Sequence, residues 1–517
     1  MILVDALLSP NAYPHSATPE LIETHISQVF LTGDYAYKIK KPMDFGFLDF
    51  STLEKRKHFC EEELRLNRRF SPDLYLSVEP VRCRDDGSIV VGGEDGDIVE
   101  YAVKMRQFPT DCLASNLAEK NTLSLAVVRE FGGRIARIHR QLPASEADDI
   151  ERAGIPTHWR DAMIQNFQQI RPFLRAAEDI QRLNRLEDWS MMAWKRFEAR
   201  LWERYRQGFV RECHGDLHLG NLVVIDNVAT AFDCIEFNAS FRWCDVMNEL
   251  AFLTMDCDSR HRRAHGFAAL DEAVAQSGDY DGLRLLTSFV VYRAMVRAKV
   301  ALFAGTAPVS VDEDRYRDWV RYSELAERSM RDQAPFMVLM CGVSGSGKSH
   351  LAALLAANMG AIRVRSDIER KRLFGLDPTD SSDAKSNMYS KQASDQTFAA
   401  LEQHARSVIE AGLPAFLDAT FLHRARRDQF RALASQLGVP CITLVCEAPV
   451  AVLERRIAER LERGKDPSEA TAQIMHQQLK SAEWPTDDEQ AVCVDTCVEN
   501  AHTGAQRLLE ARLLELV

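Results

Sequence analysis

Two domains of different class are predicted for this 517-residue chain. An α+β domain over residues 1–330, with a small β lobe and a larger helical lobe, precedes an α/β domain over residues 335–517 with a mostly parallel sheet. Three observations carry that expectation. The chain is too long for one ordinary hydrophobic core. From Ile22 to about Gln107 it is strand-like at both ends of one charged helical stretch, and from Ser124 to Leu325 it is mainly helical, with short strands around 214–237. Beyond Pro335, apolar strands and helices alternate, the pattern of a parallel sheet built with crossover helices.

Composition narrows the class. Hydrophobic residues make up 46% and charged residues 27%, as in a globular protein. The net charge of −12 argues against bulk attraction to nucleic acid or anionic membrane, while leaving room for a local basic groove. No apolar run approaches the roughly 18–20 residues of a membrane helix. The start, MILVDALLSPNAYPHS, has no basic leader and is interrupted by Asp5, so no signal peptide is expected and a cytoplasmic location is. The twelve cysteines include no CxxC pair, which predicts buried, reduced thiols.

The first elements follow from local pattern. QVFLTGDYAYKIKKP reads as a hairpin around Thr32-Gly33-Asp34. TLEKRKHFCEEELRLNRRF reads as a helix with Phe59, Glu63, Leu66 and Phe70 on one face, making Glu63 the inward acid and Glu62 the second choice. SIVVGGEDGDIVEYAVKMRQF reads as another hairpin around a Gly/Asp turn.

Residues 214–221, HGDLHLGN, set Asp216 between two histidines and Asn221 five positions later. The strands NLVVI and TAFD would then place Asn221 and a further acid, Asp233, at neighbouring points of a hairpin. Phosphoryl transfer needs a metal on the phosphates and an oriented acceptor hydroxyl, with little covalent chemistry. Asp216 suits the second task, as a carboxylate that binds the hydroxyl and takes its proton. Asn221 offers a neutral oxygen to Mg2+ and Asp233 a charged one.

HGDLHLGN followed by FDCIEF resembles the catalytic loop and magnesium aspartate of aminoglycoside phosphotransferases and choline kinases, relatives of the protein-kinase fold. The resemblance implies a protein-kinase-like first domain that binds ATP. Tyr35-Ala36-Tyr37-Lys38 fits the V-A-I-K pattern, with Ala36 against adenine and Lys38 on the phosphates; Lys40, on the same strand face, is the rival. Glu63 becomes the lysine's partner, and EYAVKMRQF the strand leading to the adenine hinge. Glu236 falls three residues after Asp233, Asp245 resembles the aspartate that braces the catalytic loop, and His214 reads as an orienting residue. Two departures stand out. The loop ETHISQ has no glycine, so Ser27 is the candidate phosphate cap, and FDCIEF replaces DFG or IDWE.

GVSGSGKS, Gly342 to Ser349, matches G-x-x-x-x-G-K-[ST] between the strand FMVLMCGV and the helix HLAALLAANM. Backbone amides of Gly342, Ser344, Gly345, Ser346 and Gly347 would cradle phosphates, Lys348 would bridge them, and Ser349 would bind Mg2+. RVRSDIERKRL puts Asp367 at a strand end with Arg370 one turn later, and FLDAT ends a strand at Asp418, with Thr420 just beyond. ERRIAERLERGKDPSEA is an arginine-rich helix running into a loop. Together these segments resemble P-loop kinases related to polynucleotide kinase, zeta toxins and gluconate kinase. That resemblance implies an α/β P-loop NTPase fold, Asp367 as proton acceptor, and a lid arginine: Arg460 first, then Arg456 or Arg463. Asp418 reads first as a Mg2+ residue acting through water and second as a residue that simply ends its strand.

A phosphotransferase with two nucleotide sites is therefore expected, using ATP and Mg2+ on a hydroxyl-bearing small molecule. Two alternatives stay open: a nucleic-acid 5′-hydroxyl kinase, and a regulatory ATP-binding protein with one non-catalytic site. HRARRDQFRAL reads first as a solvated helix start and second as a nucleic-acid groove. Neither the acceptor's identity nor the oligomeric state is encoded in these motifs.

Overall fold

The computed structural model describes residues 2–15, 18–44, 46, 48–145, 154–303, 313–331, 334–378, 380, 388, 390–463 and 467–516. Its residues form two compact units: one takes the chain up to Val127, Gln141–Gln169 and Met191–Leu253, the other Val128–Arg140, Ile170–Ser190 and the chain from Thr254 onward. The division expected at 330–335 falls inside the second unit, and residues 332–333 lie outside the described ones.

The first unit contains a six-stranded antiparallel sheet in the order β1-β2-β3-β6-β4-β5. Its strands are β1 (Glu20–Glu23), β2 (Ser27–Leu31), β3 (Tyr35–Lys40), β4 (Tyr75–Cys83), β5 (Ile89–Val91) and β6 (Asp97–Arg106). The first predicted hairpin is β2–β3. The second is not a hairpin: β5 and β6 each pair with β4, which lies between them. The sequence pattern concealed β4 because Pro80 and charged residues break its alternation.

Side chains alternate across β3. Tyr37 and Ile39 join Phe30, Val81 and Ala102 in an apolar cluster, which leaves Lys38 and Lys40 together on the other face. Helix α1 (Leu53–Asn67) supplies that face with a buried Glu63. Thr52 caps α1, its Oγ1 accepting from the Lys55 N–H at 3.3 Å. Further along, β7 (Val210–Glu212) pairs with β10 (Trp243–Asp245), and β8 (Leu222–Ile225) with β9 (Val228–Ala231). Helix α2 (Val246–Ser259) follows β10 directly.

The second unit is built on β11 (Met337–Cys341), β12 (Ile362–Arg365), β13 (Ala415–Asp418), β14 (Cys441–Glu447) and β15 (Val492–Asp495), in the order β12-β13-β11-β14-β15. Every neighbouring pair is parallel. β15 was not anticipated, since its pattern is short and half exposed. Helix α3 (Arg263–Ser277) covers the edge strand β12: the Arg363 N–H and Nε donate to the two Asp271 oxygens at 2.6 and 2.7 Å, with both residues buried. This contact is one reason the second unit extends upstream of residue 330.

Helices α4 (Lys348–Met359), α5 (Ser366–Leu373), α6 (Lys391–Glu410), α7 (Arg424–Leu437), α8 (Val450–Arg463), α9 (Ala472–Ser481) and α10 (Ala501–Leu516) belong to the same unit and follow β11 in the chain. Leu351, Ala352, Leu355 and Ala356 of α4 pack against Val338, Met340 and Phe416 of the sheet. The predicted burial of thiols needs one correction: Cys493 and Cys497 are exposed, because β15 and the turn after it lie at the sheet's edge.

Candidate active sites

The first constellation is held by charge pairing on the buried face of β3. Lys38 Nζ lies 2.9 Å from Glu63 Oε1 and 2.6 Å from Asp233 Oδ1. Lys40 Nζ lies 2.7 Å from Glu63 Oε2 and also bonds Glu236. Burial acts to raise the Glu63 carboxyl, but Lys38 and Lys40 outweigh it and hold the group at about 2. The two lysines differ in surroundings. Lys40 is sealed between two buried glutamates, whereas Lys38 meets Asp233, whose side chain is 45% exposed. Ser27, proposed as a phosphate cap, lies across from Lys40 on β2 with its hydroxyl buried and without a partner among the described residues.

The residues of HGDLHLGN are bonded to one another. Asn221 Nδ2 donates to Asp216 Oδ2 at 2.8 Å and to the Asp216 carbonyl at 3.0 Å, which leaves the amide oxygen for other work. His218 Nδ1 accepts from the Gly220 N–H at 3.0 Å, so its proton sits on Nε2, 3.3 Å from Asp216 Oδ2. His214 is fully buried, and burial lowers its pKa. Its Nδ1 accepts from the Asp216 N–H, so Nε2 carries the proton and donates to the Phe232 carbonyl at 2.9 Å. His214 thus ties the Asp216 segment to the Asp233 segment.

Asp233 adopts φ 63°, an unusual backbone state for a residue other than glycine. Four consecutive amides hold it there. The N–H groups of Phe232, Asp233, Cys234 and Ile235 donate to the Asn221 carbonyl, Tyr75 Oη, Asn67 Oδ1 and the His214 carbonyl, at 3.0, 3.1, 2.9 and 3.1 Å. Phe232 also meets Phe108, which follows β6, edge to face at 5.2 Å.

One expected role moves to a different residue. Asp245 is paired with Arg204 at 2.7 and 2.8 Å and accepts from the Met247 N–H. Glu249, one turn further along α2, accepts from the Gly215 N–H of HGDLHLGN at 2.8 Å. Glu212, just before that loop, gathers Arg65, Arg69 and Arg242 at 3.0, 2.9 and 3.0 Å. Burial works to raise its pKa, yet the arginines bring it down to about 2.

In the second constellation the glycine loop joins β11 to α4. A Cβ on Gly345 (φ 82°) would lie 2.8 Å from the Leu453 carbonyl, and one on Gly342 2.7 Å from the Cys446 carbonyl, so side chains are excluded there. The loop is thereby shaped as a backbone cradle, with Lys348 buried behind it. Lys348 Nζ donates to the Val343 carbonyl at 2.8 Å and lies 3.4 Å from Ser346 Oγ; burial lowers its pKa. Ser349 Oγ donates to Asp418 Oδ1 at 3.1 Å. Asp367, in the first turn of α5, pairs with Arg370 at 3.2 Å.

Residues 337–485 match a family model described as an AAA domain. An uncharacterized protein of Mycobacterium tuberculosis is 27% identical over 491 residues, covering 92% of this chain and 93% of the relative. Among solved structures, a gluconokinase from Sinorhizobium meliloti is similar over 35% of this chain and 98% of its own, at 22% identity and a TM-score of 0.27. A choline/ethanolamine kinase family protein from Mesorhizobium loti is similar over 64% of this chain and 95% of its own, at 11% identity and a TM-score of 0.37.

The arginines of α8 separate in space. Arg456 Nη1 lies 3.4 Å from the Gly345 carbonyl and 2.9 Å from Thr496 Oγ1, against the loop. Arg460, preferred from the sequence, donates to the Ala470 carbonyl at 2.5 Å. The Arg463 side chain and residues 464–466 lie outside the described residues. The basic stretch at the start of α7 is internally neutralised: Arg424 pairs with Asp488, Arg426 with Asp395, Arg427 with Glu489 and Arg431 with Asp428. Sequence reasoning missed Thr496 and Gln478, whose contacts to the loop come from segments more than a hundred residues away. No described helix is long and apolar enough to cross a membrane.

Proposed function

We propose that the chain is an ATP- and Mg2+-dependent phosphotransferase with two nucleotide sites, each passing the γ-phosphoryl group to a hydroxyl on a small molecule. The observation that carries this is the pairing of Ser349 with Asp418 at 3.1 Å beside a glycine cradle and a buried lysine. That donor set suits a phosphate chain with its hard cation, because it combines amides, one cationic amine and two oxygens.

In the second unit, the Ser344, Gly342 and Ser346 amides of the expected cradle are bonded to Gln478, Thr420 and Val343, so the Gly345 and Gly347 amides would donate to phosphate oxygens, with Lys348 adding a positive charge. Ser349 and, through water, Asp418 would hold the metal, Asp367 would take the acceptor proton, and Arg460 would add its charge to the transferring group. In the first unit, Lys38 would serve the phosphates, Asn221 and Asp233 would offer oxygens to the metal, and Asp216, oriented by Asn221 and His218, would receive the proton. Bound Mg2+ supplies charge neutralisation on the phosphate oxygens.

Two observations favour this reading over the other two. A nucleic-acid 5′-hydroxyl kinase would use exposed, unpaired arginines near the site, and those of α7 are spent on acids. A purely regulatory first site would be suggested by a broken Lys38–Glu63–Asp233 arrangement, and it is intact.

The deciding experiment incubates the full chain with γ-labelled ATP, Mg2+ and sugars, aminoglycosides, nucleosides or 5′-hydroxyl oligonucleotides. Label should pass to a small molecule, and Asp216→Asn and Lys348→Ala should each silence a different transfer. Metal-dependent ATP consumption that neither variant changes would defeat the proposal.

A further inference from the structure

Within the phosphate loop, one amide is taken by a side chain from elsewhere in the fold: the Ser344 N–H donates to Gln478 Oε1 at 2.8 Å. Gln478 lies on α9, and α9 is not loosely attached. Met475, fully buried, and Leu479 pack with Val343 of the loop and with Leu453 and Ile457 of α8. The helix that carries Arg456 and Arg460 is therefore joined to α9 and to the loop in one apolar cluster. Polar bonds complete the fastening. Arg456 reaches Gly345 and Thr496, and Thr496 Oγ1 donates to the Ser346 carbonyl at 2.8 Å.

We propose that Gln478 is a positioning residue for phosphate binding in the second unit. Its carbonyl sets the direction of the Ser344 amide and locks α8 and α9 onto the loop. This deepens the phosphotransferase reading and rests on it. The chemistry of the residue matters. A glutamine accepts this bond without charge, so it shapes the loop while adding no repulsion toward phosphate oxygens. A carboxylate of the same length would accept the bond equally well, yet would place a negative charge beside the phosphates. The two functions of the side chain, accepting and staying neutral, can thus be separated by substitution.

The test is calorimetric binding of ATP and of adenosine to the full chain, counting only the ATP binding that Lys348→Ala abolishes. Gln478→Ala should weaken that component by about 3–10-fold, the worth of one such bond. Gln478→Glu should weaken it by at least about 10-fold, with a deficit that shrinks in high salt, because the added effect is charge repulsion. Adenosine affinity should stay near wild type in both, and Gln478→Glu, which keeps the bond, should also melt like wild type. A Gln478→Glu chain that binds ATP like wild type would overturn the proposal. So would a Gln478→Ala chain that melts earlier but binds ATP normally once folded, which would make the residue a brace only. Failure of the underlying reading shows elsewhere: wild type would then have no Lys348-dependent ATP binding at all, and the proposal would fall with it.

Discussion

Lys40 Nζ lies 2.7 Å from one oxygen of Glu63 while Lys38 Nζ lies 2.9 Å from the other, so a single buried carboxylate is shared by both lysines of β3. Sharing makes the lysines unequal. Lys40 is sealed in with Glu63 and Glu236, whereas Lys38 borders the half-exposed Asp233. We expect Lys40→Met to leave the buried Glu236 without its lysine and Glu63 with Lys38 alone, and to cost about 3–5 kcal/mol, read as an earlier urea midpoint. Lys38→Met should cost less stability and weaken ATP binding instead. Equal stability losses in the two variants would remove the distinction.

Asp216 and Asp233 should separate kinetically. Asp216→Asn keeps size and hydrogen bonding but loses the proton acceptor, so turnover of the first site should fall by at least ~10²-fold with ATP affinity nearly intact. Asp233→Ala should weaken Mg2+-dependent nucleotide binding. Equal effects of both on ATP affinity would contradict these roles.

In the second unit, Asp367→Asn should suppress transfer and preserve ATP binding. Arg460→Ala should lower single-turnover transfer by on the order of 10³-fold, and Arg460→Lys should restore little, since an ammonium lacks the planar fork. Arg456→Ala, which removes contacts to Gly345 and Thr496, should instead weaken nucleotide binding. If Arg460→Ala transfers at the wild-type rate while Arg456→Ala does not, the transferring role belongs to Arg456.

Acid should act through Glu212. Its carboxyl is held at about 2 by Arg65, Arg242 and Arg69 against the effect of burial, below its unfolded value. A depressed folded value means stability that is fully present above the unfolded pKa and lost as pH falls through the folded one. The window therefore runs from about 4.5 down to about 2 and is worth on the order of 3 kcal/mol. Glu212→Gln should be less stable at neutral pH and should show a shallower loss across that window. A variant whose acid unfolding curve overlays wild type would show the arginines contribute nothing there.

Much of both candidate sites was legible because their chemistry sits in short, contiguous runs. HGDLHLGN places Asp216, His218 and Asn221 within eight residues, and GVSGSGKS does the same for the phosphate loop. Local spacing also identified Glu63, since its helix face repeats at spacings of three and four. The loop brace was assigned to Asp245 and belongs to Glu249, because an acid one turn later on the same helix reads alike until the Gly215 amide is in view.

By itself, then, the sequence determined the two classes of element, the glycine loop and the order of the acids, all of which depend on neighbours close in the chain. Tertiary structure decided what depends on burial by distant segments. It set β4 between β5 and β6, gave each oxygen of Glu63 its own lysine, and brought Gln478 to Ser344 across 134 residues. It also joined Asp271 to Arg363, so that helices read as part of the first domain cover the sheet of the second unit. Burying a polar group without a partner is costly, and only the folded chain decides which partner is within reach.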